Sequence, residues 1–460
     1  MRNVLRLAAA CGLAAFLAAS SLQAQPNPQI PAASEQERLR ELQLLGLGAT
    51  RPGVQNRDPS QPNYANYDEA KANPYPLPDP LVEADGHRVT SAAEWWKVRR
   101  PEIVAAADRD LYGHEPGHTP AVHWTVTEVT HETRFGVPVL VKALDGRMDN
   151  SGDPAIEAVI KAELTTPEAA VAARRRTPVV MSLIWLKPPV IPGLKFAPEP
   201  GPDYREQILK RGWSYVLVDP NSIQVDNGAG LTSGVIGLAN HGQPRRPGDW
   251  GVLRAWAWGA SRLLDYLQTD PDTDGRKVAI QGHSRYGKAS LVAMAYDPRF
   301  AVGFISSSGA GGAAPYRRRW GETVENVAAS NEYHWMAGNF LKYAADPLNA
   351  NDLPIDANSI IALVAPRPIF VGAGSADDRA KANDAWVDPR GMFMAEASAG
   401  EVYKLLGKRP LDPAFPQVLS LSDSGDMAYR EHDQGHTPGP NWPAFLDFAA
   451  RAFARQQGGS

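Results

Sequence analysis

Cysteine is all but absent from this chain of 460 residues: the single one, Cys11, falls within the first two dozen. Without that leader the protein has no disulfide and no thiol nucleophile, so an oxidising compartment has nothing to act on. Long hydrophobic runs are missing as well. The apolar stretch from Leu7 to Ala19 is shorter than the ~20 residues a membrane helix needs. It follows Arg2 and Arg6 and precedes Leu22-Gln23-Ala24, the pattern of an export signal cleaved near Ala24. The expectation is a secreted or periplasmic protein with no membrane span. Clustered positive charge is the third absence. The formal charge is −4, and −6 once Arg2 and Arg6 leave with the signal. The triplets Arg174-Arg175-Arg176 and Arg317-Arg318-Arg319 are too short to form a nucleic-acid surface.

What is present is enough apolar material for a large core, 43% of residues. After the signal, residues 1–24, a segment rich in Pro, Gln and Asn spans 25–80, interrupted by a helical stretch from Glu35 to Leu45. Pro74, Pro76, Pro78 and Pro80 exclude a helix or a central strand there, so this arm reads as extended over the domain or partly disordered. Residues 81–460 read as one catalytic domain. Ala92 to Leu111 reads as a helix with Ser91 at its N-cap. Short β-rich runs follow at Val122 to Thr127, Val137 to Lys142 and Ala155 to Leu164. Beyond them come apolar runs at Pro178 to Trp185, Ser214 to Asp219, Lys277 to Gln281, Phe300 to Ser306 and Pro368 to Val371, as strands buried on both faces require. Helical patterns at Val252 to Leu267 and Lys288 to Ala295 alternate with them. The fold class is α/β: a mostly parallel central sheet flanked by helices in a three-layer sandwich.

The informative segment is Val278-Ala279-Ile280-Gln281-Gly282-His283-Ser284-Arg285-Tyr286-Gly287-Lys288-Ala289. A buried strand runs into a tight turn and straight into a helix, with serine at the bend. In α/β-hydrolases this elbow lifts the serine hydroxyl above the sheet and aims backbone N–H groups at a developing oxyanion. The second glycine stands one place later than in G-x-S-x-G, and a capping serine in an ordinary turn is the plainer alternative. Arg285 offers a backbone N–H beside Ser284 and a guanidinium that can reach a carbonyl oxygen. Lys288 shares the helical face of Ser284 one turn on; spacing alone allows a solvent-facing lysine equally well. The base is expected after the nucleophile and the acid in chain order. His436, in a Gly/Pro loop before the C-terminal helix, fits this better than His432, which has charged neighbours and no adjacent glycine. The string His114-Glu115-Pro116-Gly117-His118 imitates a zinc-protease motif, but Pro116 and Gly117 break the helix that chemistry needs. No metal or other cofactor is expected.

With these residues in place the chain resembles the bacterial glucuronoyl esterases of carbohydrate esterase family 15, from about Asn66 to Ala454. The resemblance rests on Asn73 to Pro80, Trp95-Trp96, Arg99 to Glu102, Gly282 to Lys288, Ser308 to Ala313, Gly321-Glu322-Thr323, Ala365 to Pro368 and Trp386 to Gly391. It implies an α/β-hydrolase fold and hydrolysis of esters between 4-O-methyl-glucuronate of xylan and lignin alcohols. It also implies Ser284 as nucleophile, His436 as base, Arg285 at the oxyanion, and Lys288, Glu322 and Trp386 on the sugar. Two departures stand out. Many members carry an acidic Glu in a Ser-Asn-Glu-Ser-Gly stretch; here Ser306-Ser307-Ser308-Gly309 has none. The acid then follows the strand at Pro368 to Val371, with Asp377, Asp378 and Asp384 as candidates and Asp384 favoured by its spacing to Trp386. The second is Glu332, in place of the family's Gln, before Tyr333-His334-Trp335; a carboxylate there would repel an uronate or demand another hydroxyl pattern. The expected partner is glucuronoxylan or a lignin–carbohydrate ester, with the enzyme a monomer. An acetylxylan esterase or general carboxylesterase on the same fold is the alternative. A hydrolase fold that only binds polysaccharide is disfavoured by the full set of catalytic residue types.

Overall fold

The computed structural model describes residues 29–186, 200–377 and 383–455. The expected export signal and Asp378 lie outside them. Ten strands form one sheet in the order β1-β2-β3-β5-β4-β6-β7-β8-β10-β9. In chain order they are β1 Val122–Arg134, β2 Val137–Met148, β3 Val159–Pro167, β4 Thr177–Leu183, β5 Ser214–Val218, β6 Thr273–His283, β7 Val302–Ser306, β8 Ile369–Gly374, β9 Leu421–Asp423 and β10 Met427–His432. β5 through β10 pair in parallel across the middle, and the antiparallel meander β1-β2-β3 extends one side.

Six longer helices position the rest: α1 Gln29–Leu44, α2 Arg100–Asp110, α3 Val252–Thr269, α4 Arg285–Tyr296, α5 Pro389–Leu405 and α6 Trp442–Arg455. The central strands are apolar on both faces because each face has its own core. Val179, Met181, Val278, Ile280, Ile305, Ile369 and Val371 point to one, with α3, α4 and α5. Their neighbours Val180, Ala279, Phe304 and Phe370 point to the other, against Phe445 and Phe448 of α6. This period-two division builds the three layers, and the architecture is the α/β-hydrolase fold that the sequence leads one to expect. No helix among the described residues is long and apolar enough to cross a membrane.

Two local expectations need correction. The expected strand from Ala155 begins only at Val159, because Asn150 to Ile156 close a turn (Asp153 N–H to Asn150 O, 2.9 Å). The helix after Ser91, which does form a capping box with Glu94, widens to a π turn over Trp95–Arg99; Pro101 just beyond it has no N–H to donate back. The arm carries the expected helix, which begins earlier than Glu35, at Gln29. Its helix α1 sends Glu41 into the core, where it meets Arg245 at 2.7 Å with both side chains fully buried. Arg245 also donates to the carbonyls of Trp250 and Met336, so one ion pair ties the arm to the loop that carries Trp335. Removing one partner of such a pair leaves an uncompensated buried charge. Glu41→Ala should therefore lose ~3–5 kcal/mol of stability in denaturant unfolding, and Glu41→Ala/Arg245→Met should recover much of it. A loss below 1 kcal/mol in the single variant would contradict the anchor.

Candidate active site

Ser284 joins β6 to α4 with φ 58° and ψ −129°, a backbone strain that non-glycine residues accept mainly at functional turns. Its N–H donates to Ser306 O at 2.9 Å, and its own carbonyl accepts from Lys288 N–H at 3.1 Å. The flanking glycines have a steric cause. A Cβ on Gly282 would lie 2.0 Å from Tyr286 O, and one on Gly287 would lie 2.7 Å from Ser306 O. The late second glycine is thus where α4 crosses the end of β7, rather than a defect in the motif.

His436 lies in the loop between β10 and α6. Its ring packs against that of His283, the residue before Ser284, with centroids 4.3 Å apart. Its Nδ1 faces Asp384 Oδ1 at 2.8 Å. Asp384 is buried while the His436 side chain is 45% exposed, so the imidazole is held from behind and open in front. His432 instead is fully buried. Its Nδ1 accepts from Gln434 N–H (3.2 Å), which leaves the Nε2 proton to donate to Thr437 O (2.8 Å). It braces the loop that presents His436.

The other carboxylate oxygen of Asp384 accepts from the Ser307 hydroxyl at 2.6 Å and from Gly374 N–H at 3.1 Å. Ser307, which in the sequence reads only as a place without an acid, secures with its hydroxyl the Asp384 carboxylate that comes from beyond β8. Asp377 sits just past β8, its N–H on Ser375 Oγ at 3.0 Å.

One turn beyond Ser284, Lys288 is buried, not solvent-facing. Its Nζ donates to Glu322 Oε2 at 2.9 Å and to the carbonyl of Ala310. Glu322 is linked to Trp386 through the backbone, N–H to Trp386 O at 3.0 Å. Gly321 before it has φ 57°, and a Cβ there would come within 2.2 Å of that same carbonyl. Because Trp386 follows Asp384 by two residues, the partner of Glu322 and the partner of His436 are set by one loop.

Glu332 accepts from Asn331 Nδ2 at 3.1 Å, and its Oε2 is buried without a hydrogen-bond partner among the described residues. Burial, reinforced by the neighbouring Glu322 and only partly opposed by Lys288 and Arg285, pushes its pKa up to about 8. The upward shift favours the protonated acid, which carries a proton to donate as a Gln amide does. Arg285 turns its guanidinium to Asp226, Nη1 to Oδ2 at 2.5 Å, a partner with no local sequence signal. The H-E-x-x-H string is not helical: His114 forms a β-bridge with Asp249, and Glu115 pairs with Arg254 at 3.0 Å.

Comparison with known proteins places this geometry among relatives. The family described as "Glucuronyl esterase, fungi" matches residues 246–407. The chain is similar to a CE15 glucuronoyl esterase from Teredinibacter turnerae T7901, at TM-score 0.82 and 38% identity, covering 91% of this chain and 100% of that one. It is 32% identical over 421 residues to carbohydrate esterase MZ0003 of an unknown prokaryotic organism, covering 85% of this chain and 92% of that protein. It is also 27% identical to 4-O-methyl-glucuronoyl methylesterase 1 of Wolfiporia cocos, covering 72% of each.

Proposed function

The chain belongs to the glucuronoyl esterases of carbohydrate esterase family 15, and on that premise we propose that Ser284 is its nucleophile, His436 its base and Asp384 the acid that orients the base. The protein is a carboxylic-ester hydrolase that acts on glucuronoyl esters. The observation that carries the residue assignment is the strained bend at Ser284 with the His436–Asp384 pair packed beside it.

Ser284 Oγ attacks the ester carbonyl carbon while its proton passes to His436 Nε2. The carbonyl oxygen becomes an oxyanion beside the Arg285 N–H and guanidinium. Collapse of the tetrahedral adduct breaks the bond to the alcohol, which leaves with the proton from His436. Water, deprotonated by the same imidazole, then cleaves the glucuronoyl–serine ester to give the free uronic acid. Asp384 keeps the proton on Nδ1 and steadies the imidazolium; its own hydrogen bonds to Ser307 and Gly374 keep it in place. Lys288, Glu322 and Glu332 bind the ring hydroxyls, and Trp386 covers an apolar face of the sugar. The natural target on this reading is 4-O-methyl-glucuronate of xylan esterified to a lignin alcohol, met outside the cytoplasm after export.

Turnover of benzyl glucuronate tests the triad. Asp384→Asn should lower kcat by ~10⁴, the scale seen when a serine protease loses this carboxylate, and Asp377→Asn should stay within a few-fold of wild type. The reverse pattern moves the acid to Asp377. A wild-type preference for acetyl esters over glucuronate esters would favour the acetylxylan-esterase alternative.

Glu332 gives a pH prediction. The substrate ester is uncharged, so only the uronate product feels a charge at this position. Below about pH 8 Glu332 keeps its proton; above it the carboxylate forms and opposes the product. Inhibition by free glucuronate should weaken at least about fivefold as pH rises through 8, the lower limit set by the Coulomb cost of like charges about 4 Å apart in bulk water. In Glu332→Gln the inhibition constant should be flat over that range. A flat profile in wild type would contradict a neutral Glu332.

A further inference from the structure

Asp226 lies in the loop after the short helix Pro220–Ile223, with its side chain 13% exposed. A carboxylate so enclosed is costly unless its lone pairs are occupied, and here they are taken three times. Oδ2 meets Arg285 Nη1 at 2.5 Å. Oδ1 accepts from the Trp335 indole N–H at 2.6 Å and lies 2.9 Å from His334 Nε2. Burial acts to raise its pKa, but the His334 hydrogen bond and the charge of Arg285 outweigh burial and hold the carboxyl well below the usual range. His334 is itself fully buried, which lowers its pKa despite Asp226. At neutral pH it is the neutral ring, and the proton on Nε2 is the one Asp226 accepts. The backbone is pinned too: Asp226 N–H donates to Asn221 Oδ1 at 3.1 Å, and the Asn221 amide reaches the hydroxyl of Tyr286, the residue after Arg285, at 3.0 Å.

Arg285 therefore meets a carboxylate already fixed by other groups. Its guanidinium also lies over the Trp335 ring, 5.1 Å from the centroid, and the side chain remains 40% exposed. One nitrogen of the fork is tied down. Among the described residues the remaining N–H groups have no hydrogen bond, so they are available to an oxygen beside Ser284. A flexible arginine would have to be ordered as charge develops; one ordered in advance stabilises the transition state without that cost.

We propose that Asp226 is a positioning residue for ester hydrolysis: held by Trp335 and His334, it fixes one edge of Arg285 and so presents the other to the oxyanion as it forms. This rests on the reading of Arg285 as an oxyanion donor. The contact matters where negative charge is greatest, so its loss falls on kcat and leaves KM nearly unchanged.

The test is a double-mutant cycle on benzyl glucuronate at pH 7 with Arg285→Ala, Asp226→Asn and the combination, alongside thermal melts. Arg285→Ala should lower kcat ~10²–10³-fold, the scale for one lost oxyanion donor. Asp226→Asn should lower kcat by roughly tenfold or more with KM within about twofold, a part of that same contribution. In the Arg285→Ala background it should add less than about threefold, because residues acting through one group are not additive. If Asp226→Asn does not fold, Asp226→Glu, which keeps the charge but displaces it, enters the same cycle with the same expected loss of effect once Arg285 is gone. Losses that multiply, or a loss confined to KM, would overturn the positioning role while leaving Arg285 at the oxyanion. Wild-type kcat in Arg285→Ala would remove the oxyanion reading, and this proposal with it.

Discussion

The approach of α4 to the ends of β6 and β7 constrains everything built around Ser284. The helix begins directly at the bend, so its first turn must pass within contact distance of two strand ends. Only glycine at 282 and 287 leaves the space, and the strained backbone at Ser284 follows from it. The same closeness places Arg285 beside Asp226, buries Lys288 one turn on against Glu322, and brings Ser307 at the exit of β7 to the carboxylate from beyond β8. A sheet apolar on both faces provides the rigid platform for this crowding, since each strand is locked into two cores at once.

Around that bend, acidic side chains of similar chemistry are set to different tasks by their partners. Asp226, with two hydrogen-bond donors and a guanidinium, is held firmly ionised. Glu332, buried with another carboxylate nearby and its lysine neighbour already engaged by Glu322, keeps its proton to about pH 8. Asp384 divides its oxygens, one to His436 and the other to Ser307 and Gly374. In the proposed mechanism the first fixes a cation, the second donates to sugar and the third orients a base.

Much of the fold was legible because both-face burial leaves continuous apolar runs, which mark β4 to β8 in the sequence. The elbow was legible because its sterics act on neighbours in the chain. The pairing of Asp384 with His436 was reachable only through the spacing to Trp386. Position 307 read as a gap, since nothing local says that a serine hydroxyl would lean on an acid from another strand. Burial of Lys288 could not be read from helical spacing, which fixes a face but not what covers it. Asp226 and the proton on Glu332 were invisible for a stronger reason: both depend on long-range packing. The helix of the arm was legible from Glu35 onward, but its anchorage was not, because the Glu41–Arg245 pair joins residues far apart in the chain.

In the proposed mechanism the glucuronoyl group passes through a covalent ester on Ser284. Rapid acid quenching of wild-type enzyme during turnover of benzyl glucuronate, followed by peptide mass spectrometry, tests it directly. A glucuronoyl adduct is expected on the peptide that contains Ser284, and none in Ser284→Ala. An adduct on another residue, or undiminished turnover by a folded Ser284→Ala protein, would contradict it.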